Sequence, residues 1–332
     1  MKRSGYLMER IADPDNLRLA YWKARRGKDT RPDVGSYRRC LSVNLHRLRD
    51  ELLSGEIDAG HYRYFRIYDP KERIICAASF PERVLHHAVM NVCHPIFERF
   101  QIHDSYATRP GKGQYAALDR VKSHVRHYRW FCKLDVRKFF DSIDHERLFG
   151  LLCRMYKDPV LLGIFRQLID SYETEPGKGL PIGNLTSQYL ANYYLAYADH
   201  HAKEKLRVSA YVRYMDDMLL FHDDRSELVR LSREFAAYIE VFLCLRLKTP
   251  CINSTDKGVP FLGYVLFPES VRLNKNSKKR YKKKMRIYES KLTAGEWTET
   301  DYARHITPLV AFTRYADATC FRRSQICRMG AG

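Results

Sequence analysis

The sequence predicts an α+β protein that is built from more than one compact lobe. Its 332 residues are 45% hydrophobic, which is enough apolar material for a sizeable core. Some stretches alternate apolar and polar residues as strands do, whereas most others place apolar residues at helical spacing. The formal net charge is +19. A charge of this size favours a polyanionic partner, most commonly nucleic acid, with a solubilising or membrane-facing surface as the alternative.

The first third of the chain is predicted to be helical, apart from one hairpin. Leucines recur at helical spacing within residues 1–60, which predicts a helical extension. Alternation over residues 62–68, a turn signal at Asp69-Pro70, and an apolar stretch over residues 73–77 predict a basic β-hairpin. Further helices are predicted over residues 82–100 and from a Gly/Pro loop to about residue 128.

The middle of the chain alternates short strands with helices. A strand of apolar residues over 130–134 ends at Asp135, and residues 145–172 are mainly helical. A loop rich in Gly and Pro precedes a helix predicted over residues 184–206. A strand, a turn and a second strand then occupy residues 211–221.

The last third is predicted to end in a basic helical lobe. A helix over residues 225–245 is followed by two short strands near 245–252 and 260–267. Residues 271–332 are predicted to form a separate helical lobe, in which a very basic helix begins with Lys275 to Lys284.

Several features limit where the protein works. No run of about 20 apolar residues predicts a transmembrane helix, and no apolar run follows the basic start as in a signal peptide. The nine cysteines form no CxxC pair, so a zinc site is not expected. These features predict a reduced cytoplasmic protein with buried thiols and no membrane contact.

Three acidic residues are the strongest chemical signal. Asp216 and Asp217 lie between two apolar strand segments, and Asp135 ends another apolar strand. An Asp-Asp pair alone is commonly a solvated β-turn. Carboxylates at the ends of neighbouring strands can instead converge on Mg²⁺, which prefers oxygen ligands. Two such ions stabilise the attacking and leaving oxygens of an in-line phosphoryl transfer.

These residues resemble the motifs of reverse transcriptases of the bacterial and phage type, related to those of group II introns and retrons. Tyr214-Met215-Asp216-Asp217 matches the YxDD box, and residues 131–144 match the motif that carries the first catalytic Asp. Ser105 to Gly113 is similar to the SYGFRPG-like segment, and Phe261-Leu262-Gly263-Tyr264 to the late FLG motif. The resemblance covers about residues 60–270.

The resemblance implies a right-hand polymerase with fingers, a palm of antiparallel sheet plus helices, and a helical thumb. The implied divisions are an N-terminal extension over 1–60, fingers over 61–130, palm over 131–150, fingers and palm helices over 151–178, palm over 179–270, and thumb over 271–332.

The resemblance also implies roles for individual residues. Asp135 and Asp216 would hold two Mg²⁺ ions, which Mn²⁺ can replace, with Asp217 as a secondary ligand and the Val136 backbone close by. Phe140 would be a steric gate against the ribonucleotide 2′-OH, or else a core residue. The predicted dNTP site comprises Lys71, Arg73, Arg137, Lys138, Phe139, Phe140, Ile182 and Gly183. Lys248 is a further candidate near the leaving pyrophosphate.

Contacts to template RNA and cDNA are predicted from the same resemblance and from charge. The residues assigned to them are Arg109, Tyr214, Met215, Lys278, Lys279, Lys282 and Lys283. The lysines belong to the basic helix, in which Tyr281 either stacks on nucleic acid or packs internally. A solvated basic helix end is the alternative for this segment.

One motif favours a narrower type. Where most reverse transcriptases resemble QGxxxSP, this chain has Ile182 to Gln188, with Ile in place of the first Gln and Gln188 in place of Pro. This variant resembles the enzymes of diversity-generating retroelements, which copy a template-repeat RNA with errors at adenine. That resemblance implies a small basic accessory protein as a partner. The alternatives are a retron, intron-derived or phage-defence enzyme, and an inactive RNA-binding scaffold.

Overall fold

Short helices form the N-terminal extension, as predicted. The computed structural model describes residues 3–68 and 72–329, with side chains up to residue 325. The first helices are α1 (Met8–Ile11), α2 (Pro14–Arg25), α3 (Pro32–Arg39) and α4 (Leu41–Ser54). Asp13 caps α2 by accepting hydrogen bonds from the backbone N–H groups of Asp15 and Asn16.

The predicted hairpin is present and leads into a long helix. Strand β1 (Tyr62–Tyr68) pairs with β2 (Glu72–Ala78) in antiparallel register. Ser79 then caps α5 (Phe80–Phe100), and α6 (Gln114–His127) follows the predicted loop. Most side chains of β1 are exposed, so the hairpin projects from the body rather than joining its core.

A four-stranded antiparallel sheet lies at the centre of the molecule. Its strands are β3 (Trp130–Asp135), β4 (Ala210–Tyr214), β5 (Asp217–His222) and β6 (Cys251–Ser254). Their order across the sheet is β4-β5-β3-β6. We call it the central sheet.

Alternate residues of the central sheet enter two different hydrophobic cores. The main core is formed by buried side chains from most of the helices together with five from the sheet, Cys132, Leu134, Tyr211, Met218 and Leu220. The second core takes Phe131, Ala210, Val212, Leu219 and Phe221. Because successive side chains of a strand point to opposite faces, the sheet is buried on both sides.

Helices between the strands cover the main-core face. They are α7 (Phe139–Ser142), α8 (His145–Met155), α9 (Pro159–Asp170), α10 (Leu185–His200) and α11 (Arg225–Phe242). A π-helical turn, His201–Lys205, continues α10. The predicted helices at these positions are therefore confirmed.

The C-terminal region differs in part from the prediction. It contains β7 (Val259–Phe261), β8 (Tyr264–Leu266), β9 (Val271–Leu273), α12 (Lys275–Thr293), α13 (Glu299–Arg314) and α14 (Thr319–Met329). The strand predicted near 245–252 is wrong for most of its length, because only Leu247 pairs there, with Val136, before β6 begins. Residues 271–273 are a strand of a small sheet, β7-β8-β9, and not part of a helix.

The prediction of buried thiols holds for some cysteines only. Cys76, Cys93 and Cys132 are buried free thiols, whereas Cys40, Cys244, Cys251 and Cys320 are exposed. Across the described residues, no helix combines the length and the apolar character that crossing a membrane requires.

Candidate active site

Strand pairing brings two of the predicted carboxylates side by side. Asp135 ends β3 and Asp217 begins β5, and the two residues are directly opposite each other in the antiparallel register. Residues 131, 133 and 135 share one face of β3, so Asp135 lies on the second-core side of the sheet. The two side chains are 28% and 26% exposed, which leaves both accessible from solvent.

The third carboxylate lies in the turn between β4 and β5. Met215 and Asp216 connect the two strands, and Tyr214 pairs with Asp217 across the turn. Met215 has a φ of 52°, the left-handed conformation that residues with a side chain rarely adopt. The tight turn presents Asp216 beside Asp217 at the end of the sheet where Asp135 also lies.

Two lysines contact the acidic residues. The Lys248 ammonium lies 2.6 Å from Oδ1 of Asp135, and the Lys248 backbone N–H donates to the Asp135 carbonyl. The Lys133 ammonium lies 2.9 Å from Oδ1 of Asp217. This second contact lacks hydrogen-bond alignment, and the same buried Oδ1 has no hydrogen-bond partner.

The electrostatics of Asp216 indicate a site suited to a cation. Burial, together with the neighbouring carboxylates of Asp135 and Asp217, raises the pKa of Asp216 to about 6. A cation would offset both the burial and the repulsion. Carboxylate oxygens are the donors that Mg²⁺ prefers, so the residues present fit this ion. In the described part of the chain, however, no three His, Cys, Asp or Glu side chains form a complete metal cage. Further ligands would come from backbone, water or substrate.

The segment directly after Asp135 contains four residues of the predicted nucleotide site, residues 137–140. Val136 is buried and pairs with Leu247, while the Arg137 backbone N–H donates to Arg246 and its Nε to the Leu247 carbonyl. Lys138 is exposed, with a φ of 45°, and precedes α7.

The two phenylalanines of α7 differ in burial. Phe139 is buried in the main core, whereas Phe140 is half-buried and packs against that core from its edge. Their rings form an edge contact with centroids 5.6 Å apart. Phe140 therefore combines core packing with a partly accessible ring, and its gating role stays a prediction.

The Ile182 loop is attached to the hairpin. The Ile182 carbonyl accepts a 2.8 Å hydrogen bond from the Cys76 N–H, and Asn184 Oδ1 accepts from the Ala78 N–H. Gly183 has a φ of 118°, and a Cβ there would lie 2.8 Å from Cγ2 of Ile75. Only glycine allows this close approach. Ile182 itself is half-buried.

Two predicted cationic contacts have different surroundings. Arg73 is exposed on β2, as a residue that grips a ligand must be. Its proposed partner Lys71 lies outside the described residues. Arg109 is only 8% exposed and forms a two-point pair with Glu98, while its Nη1 donates to the carbonyls of Ile102 and Ser105. These contacts hold its own loop together, and its predicted contact with nucleic acid remains untested.

Helix α12 is anchored to the FLG turn. The Gly263 carbonyl accepts hydrogen bonds from the Asn274 N–H and from Ser277 Oγ. Gly263 has a φ of 91°, and a Cβ there would lie 2.9 Å from Ser277 Oγ. The anchor fixes the start of the basic helix next to β7 and β8.

The lysines of α12 do not all face the same way. Lys278, Lys279 and Lys283 are exposed, whereas Lys282 is half-buried, with its ammonium 5.9 Å from the Phe321 ring centroid. Tyr281 is buried against the same ring, so of its two predicted roles the structure supports internal packing over stacking on nucleic acid.

A groove of about 800 Å³ runs from the hairpin to α12. Its lining combines apolar side chains with cations, among them Tyr68, Leu262, Ile287, Phe312, Lys279 and Lys283. The groove therefore joins the FLG turn and the basic helix into one continuous surface.

Two residues of the site are absent from the sequence predictions. Lys133 could have been identified from the sequence, because it lies two residues before Asp135 and hence on the same face of β3. Arg213 is a charged residue within an otherwise apolar strand, and its pairing with Asp199 of α10 is visible only in three dimensions.

Several curated proteins resemble this chain. Protein YkfC of Escherichia coli (strain K12) is 25% identical over an alignment of 287 residues, and the match covers 70% of this chain and 73% of YkfC. The group II intron-encoded protein LtrA of Lactococcus lactis subsp. cremoris is 24% identical over 58% of this chain, which spans only 35% of LtrA. The nuclear intron maturase 1 of Arabidopsis thaliana is 29% identical over 99 residues, 30% of this chain and 13% of that protein.

A solved structure and a family model agree with the fold. The apo telomerase of Candida tropicalis, truncated from its C-terminal domain, superposes with a TM-score of 0.50 at 10% identity, over 64% of this chain and 55% of the telomerase. This likeness supports the right-hand polymerase fold that the motifs imply. Residues 69–266 match the family model described as reverse transcriptase (RNA-dependent DNA polymerase). That match covers more than half of the chain, which therefore belongs to the reverse transcriptase family.

Proposed function

We propose that this chain is an active RNA-directed DNA polymerase that uses two Mg²⁺ ions. The observation that carries the proposal is the side-by-side register of Asp135 and Asp217, with Asp216 in the adjoining turn. Asp135 and Asp216 would hold both ions, with Asp217 in a supporting position. The ions, when bound, would neutralise charge on the attacking and leaving oxygens.

The chain's own residues would position the nucleotide. Arg73 on the hairpin would contact the triphosphate, since a guanidinium matches phosphate oxygens in geometry and charge. The backbone from Val136 to Phe139 lies beside Asp135, where the same triphosphate would reach the metals. Phe140, half-buried at the core edge, would exclude the 2′-OH of a ribonucleotide by bulk. Lys248, which contacts Asp135, would meet the leaving pyrophosphate.

The template–primer duplex would occupy the groove beside α12. Lys279 and Lys283 line this groove, and Lys278 is exposed on the same helix. Recognition through charge and shape suits an RNA–DNA hybrid, whose backbone is read without base-specific contacts. The ligands of the protein in this proposal are template RNA, cDNA and dNTPs.

For the type of enzyme, we propose error-prone cDNA synthesis from a template-repeat RNA of a diversity-generating retroelement. The supporting observation is Ile182, an apolar side chain in a loop whose backbone is fixed by the hairpin. A Gln at this position can hydrogen-bond near the nucleotide, whereas Ile can only pack, which removes a polar restraint on the nascent pair. A small basic accessory protein would assist in binding the template.

A second type is favoured by the comparisons. The similarity to LtrA and to plant intron maturases supports a group II intron-related reverse transcriptase. The two types differ in a measurable property, because the first predicts errors concentrated at template adenines. An accurate enzyme would favour the second.

Primer extension tests both levels of the proposal. The full chain is incubated with poly(rA)/oligo(dT), dTTP and Mg²⁺, and then with a heteropolymeric RNA whose cDNA is sequenced. Extension that is abolished in a matched Asp216→Asn protein supports the polymerase assignment. No extension by a folded parent protein would refute it, while the position of the errors distinguishes the two types.

A further inference from the structure

A buried arginine lies behind the acidic turn. Arg213, on β4, is 0% exposed, and its side chain points to the face of the central sheet opposite to Tyr214. There it pairs with Asp199 of α10, which is equally inaccessible. Nη2 lies 2.6 Å from Oδ2 of Asp199, and Nε lies 2.7 Å from Oδ1. A two-point pair of this kind fixes the orientation of the guanidinium as well as its position.

The remaining nitrogen of Arg213 reaches the turn itself. Nη1 donates to Oδ1 of Asn192 at 2.7 Å and to the Met215 carbonyl at 3.2 Å. Met215 is the residue in the left-handed conformation directly before Asp216. The guanidinium therefore links two residues of α10 to the peptide bond that joins Met215 to Asp216.

The same strand position holds a second segment in place. The Arg213 backbone N–H donates to the Asp104 carbonyl, and the Arg213 carbonyl accepts from the Tyr106 N–H. Asn192 Nδ2 donates to the Ala107 carbonyl at 2.9 Å. The turn, α10 and the loop before α6 thus meet at one residue.

A charged pair is a costly choice for this location. Removing a guanidinium and a carboxylate from water costs solvation free energy, and an apolar pair of similar volume would be at least as stabilising. What an apolar pair cannot supply is a directed hydrogen bond to the Met215 carbonyl. The contact that distinguishes Arg213 from a packing residue is therefore the one to the turn.

We propose that Arg213, held by Asp199 and Asn192, is a positioning residue that sets the backbone of Met215 and thereby the direction of the Asp216 carboxylate. Arg213 acts through the turn and touches neither nucleotide nor metal. The inference rests on the proposed function in one respect, namely that Asp216 is a ligand of the cation.

The test compares variants that disturb the same network in different ways. Arg213→Lys retains a positive charge, but its compact ammonium lacks the planar fork that contacts Asp199 and the Met215 carbonyl through different nitrogens. Asn192→Ala removes one acceptor of Nη1 and serves if Arg213→Lys does not fold. Tyr211→Phe is the matched control, because the Tyr211 hydroxyl donates to Asp199 at 2.7 Å and has no contact with the turn.

Two quantities are measured on each full-length protein. Binding of Mn²⁺ is followed by electron paramagnetic resonance of the free ion, and the melting temperature by circular dichroism. We expect Arg213→Lys to bind Mn²⁺ about tenfold more weakly than the parent, and Asn192→Ala to bind it more weakly than Tyr211→Phe. Tyr211→Phe should have a lower melting temperature than the parent and the same affinity for Mn²⁺.

The outcomes separate this inference from the function on which it rests. If Asp216→Asn binds Mn²⁺ as tightly as the parent, the metal assignment fails. If Asp216→Asn weakens binding while folded Arg213→Lys and Asn192→Ala match the Tyr211→Phe control, only the positioning role is overturned.

Discussion

Asp216 is the residue on which the proposed chemistry depends most directly. Asp216→Asn keeps the size of the side chain and removes the charge that a cation needs. Because metal stabilisation of the transition state is worth several kcal/mol, we expect DNA synthesis to fall about a thousandfold or more. The measurement is primer extension with Mg²⁺, alongside a circular dichroism spectrum that should match that of the parent. Ordinary polymerisation by the variant would contradict the site assignment.

Phe140 offers a test of sugar selection. Phe140→Ala removes the partly accessible ring, so space for a ribonucleotide 2′-OH should open. We expect the preference for dNTP over rNTP to fall by about tenfold or more, which corresponds to about 1.4 kcal/mol. Phe165→Leu is a suitable control, because Phe165 is buried in the main core, lies outside the predicted nucleotide site and should affect stability alone. An unchanged preference in Phe140→Ala would assign the ring to core packing.

At the scale of single residues, the sequence indicates the carboxylates but not their neighbours. Asp135, Asp216 and Asp217 could be recognised because each lies at the end of an apolar strand. The contact of Lys248 with Asp135 depends on how the chain returns past β3, over a separation of 113 residues. Arg109 differs in that a family motif predicts its contact with nucleic acid, whereas in the structure its side chain pairs with Glu98 of the same chain.

The loop between α9 and α10 determines how the hairpin meets the site. The hydrogen bond from the Cys76 N–H to the Ile182 carbonyl does not involve the Ile182 side chain, so Ile182→Gln should leave the loop in place. The new amide can contact the nascent pair, and a polar contact contributes about 1–3 kcal/mol to discrimination. We therefore expect misincorporation opposite template adenine to fall about tenfold. Sequencing of cDNA from one RNA measures this effect.

An apolar substitution provides the control for that experiment. Ile182→Leu preserves packing without adding a polar group, so its error spectrum should match that of the parent. Equal spectra for Ile182→Gln and Ile182→Leu would exclude Ile182 as the cause of infidelity.

Helix α12 makes a prediction about salt. RNA affinity should fall with salt concentration along a straight line on a log–log plot, through release of counterions. Replacing the exposed Lys278, Lys279 and Lys283 with Gln should flatten the slope by up to about 0.9 for each phosphate that is no longer neutralised. The control neutralises three exposed cations elsewhere, Lys205, Arg233 and Lys257. Equal slopes in the two triple variants would place the nucleic acid away from α12.

Elements with strong periodicity could be predicted, whereas the short strands after residue 245 could be predicted only in part. The strand predicted near 260–267 is confirmed as two strands, β7 and β8, and β9 was not predicted. Strands β7, β8 and β9 have three residues each, too few for alternation to be distinguished from a loop. The Gly263 turn, with a positive φ, folds β7 back onto β8, and a turn closed by the hydrogen bond from the Phe267 N–H to the Ser270 carbonyl folds β8 back onto β9. All three strands contribute side chains to the second core. That arrangement depends on α6 and on contacts distant in sequence.

The whole molecule should lose stability in mild acid. Burial lowers the pKa of His86 to about 3 and that of His124 to about 4, both below the ordinary value of 6.5. At a pH between the lowered pKa of each histidine and 6.5, the unfolded chain binds a proton that the folded chain does not. The free energy of unfolding therefore decreases as pH falls below about 6.5. Each histidine contributes up to about 1.4 kcal/mol per pH unit.

Urea unfolding at a series of pH values measures this dependence. His124→Gln should reduce the slope of stability against pH by about one proton. His46→Gln, at an exposed position, supplies the control substitution. A parent protein equally stable at pH 7.5 and pH 5 would contradict the prediction.

The burial of the central sheet on both faces has a consequence for how such a protein can diverge. A substitution in β5 alters one side chain, and a neighbour in one core can adjust to it. A single-codon insertion or deletion would instead exchange Met218 and Leu220 with Leu219 and Phe221 between the two cores, and would shift Asp217 out of register with Asp135. We therefore expect relatives that keep this arrangement of carboxylates to differ in the residue types of these strands but not in their number of residues, with length variation confined to the connecting loops.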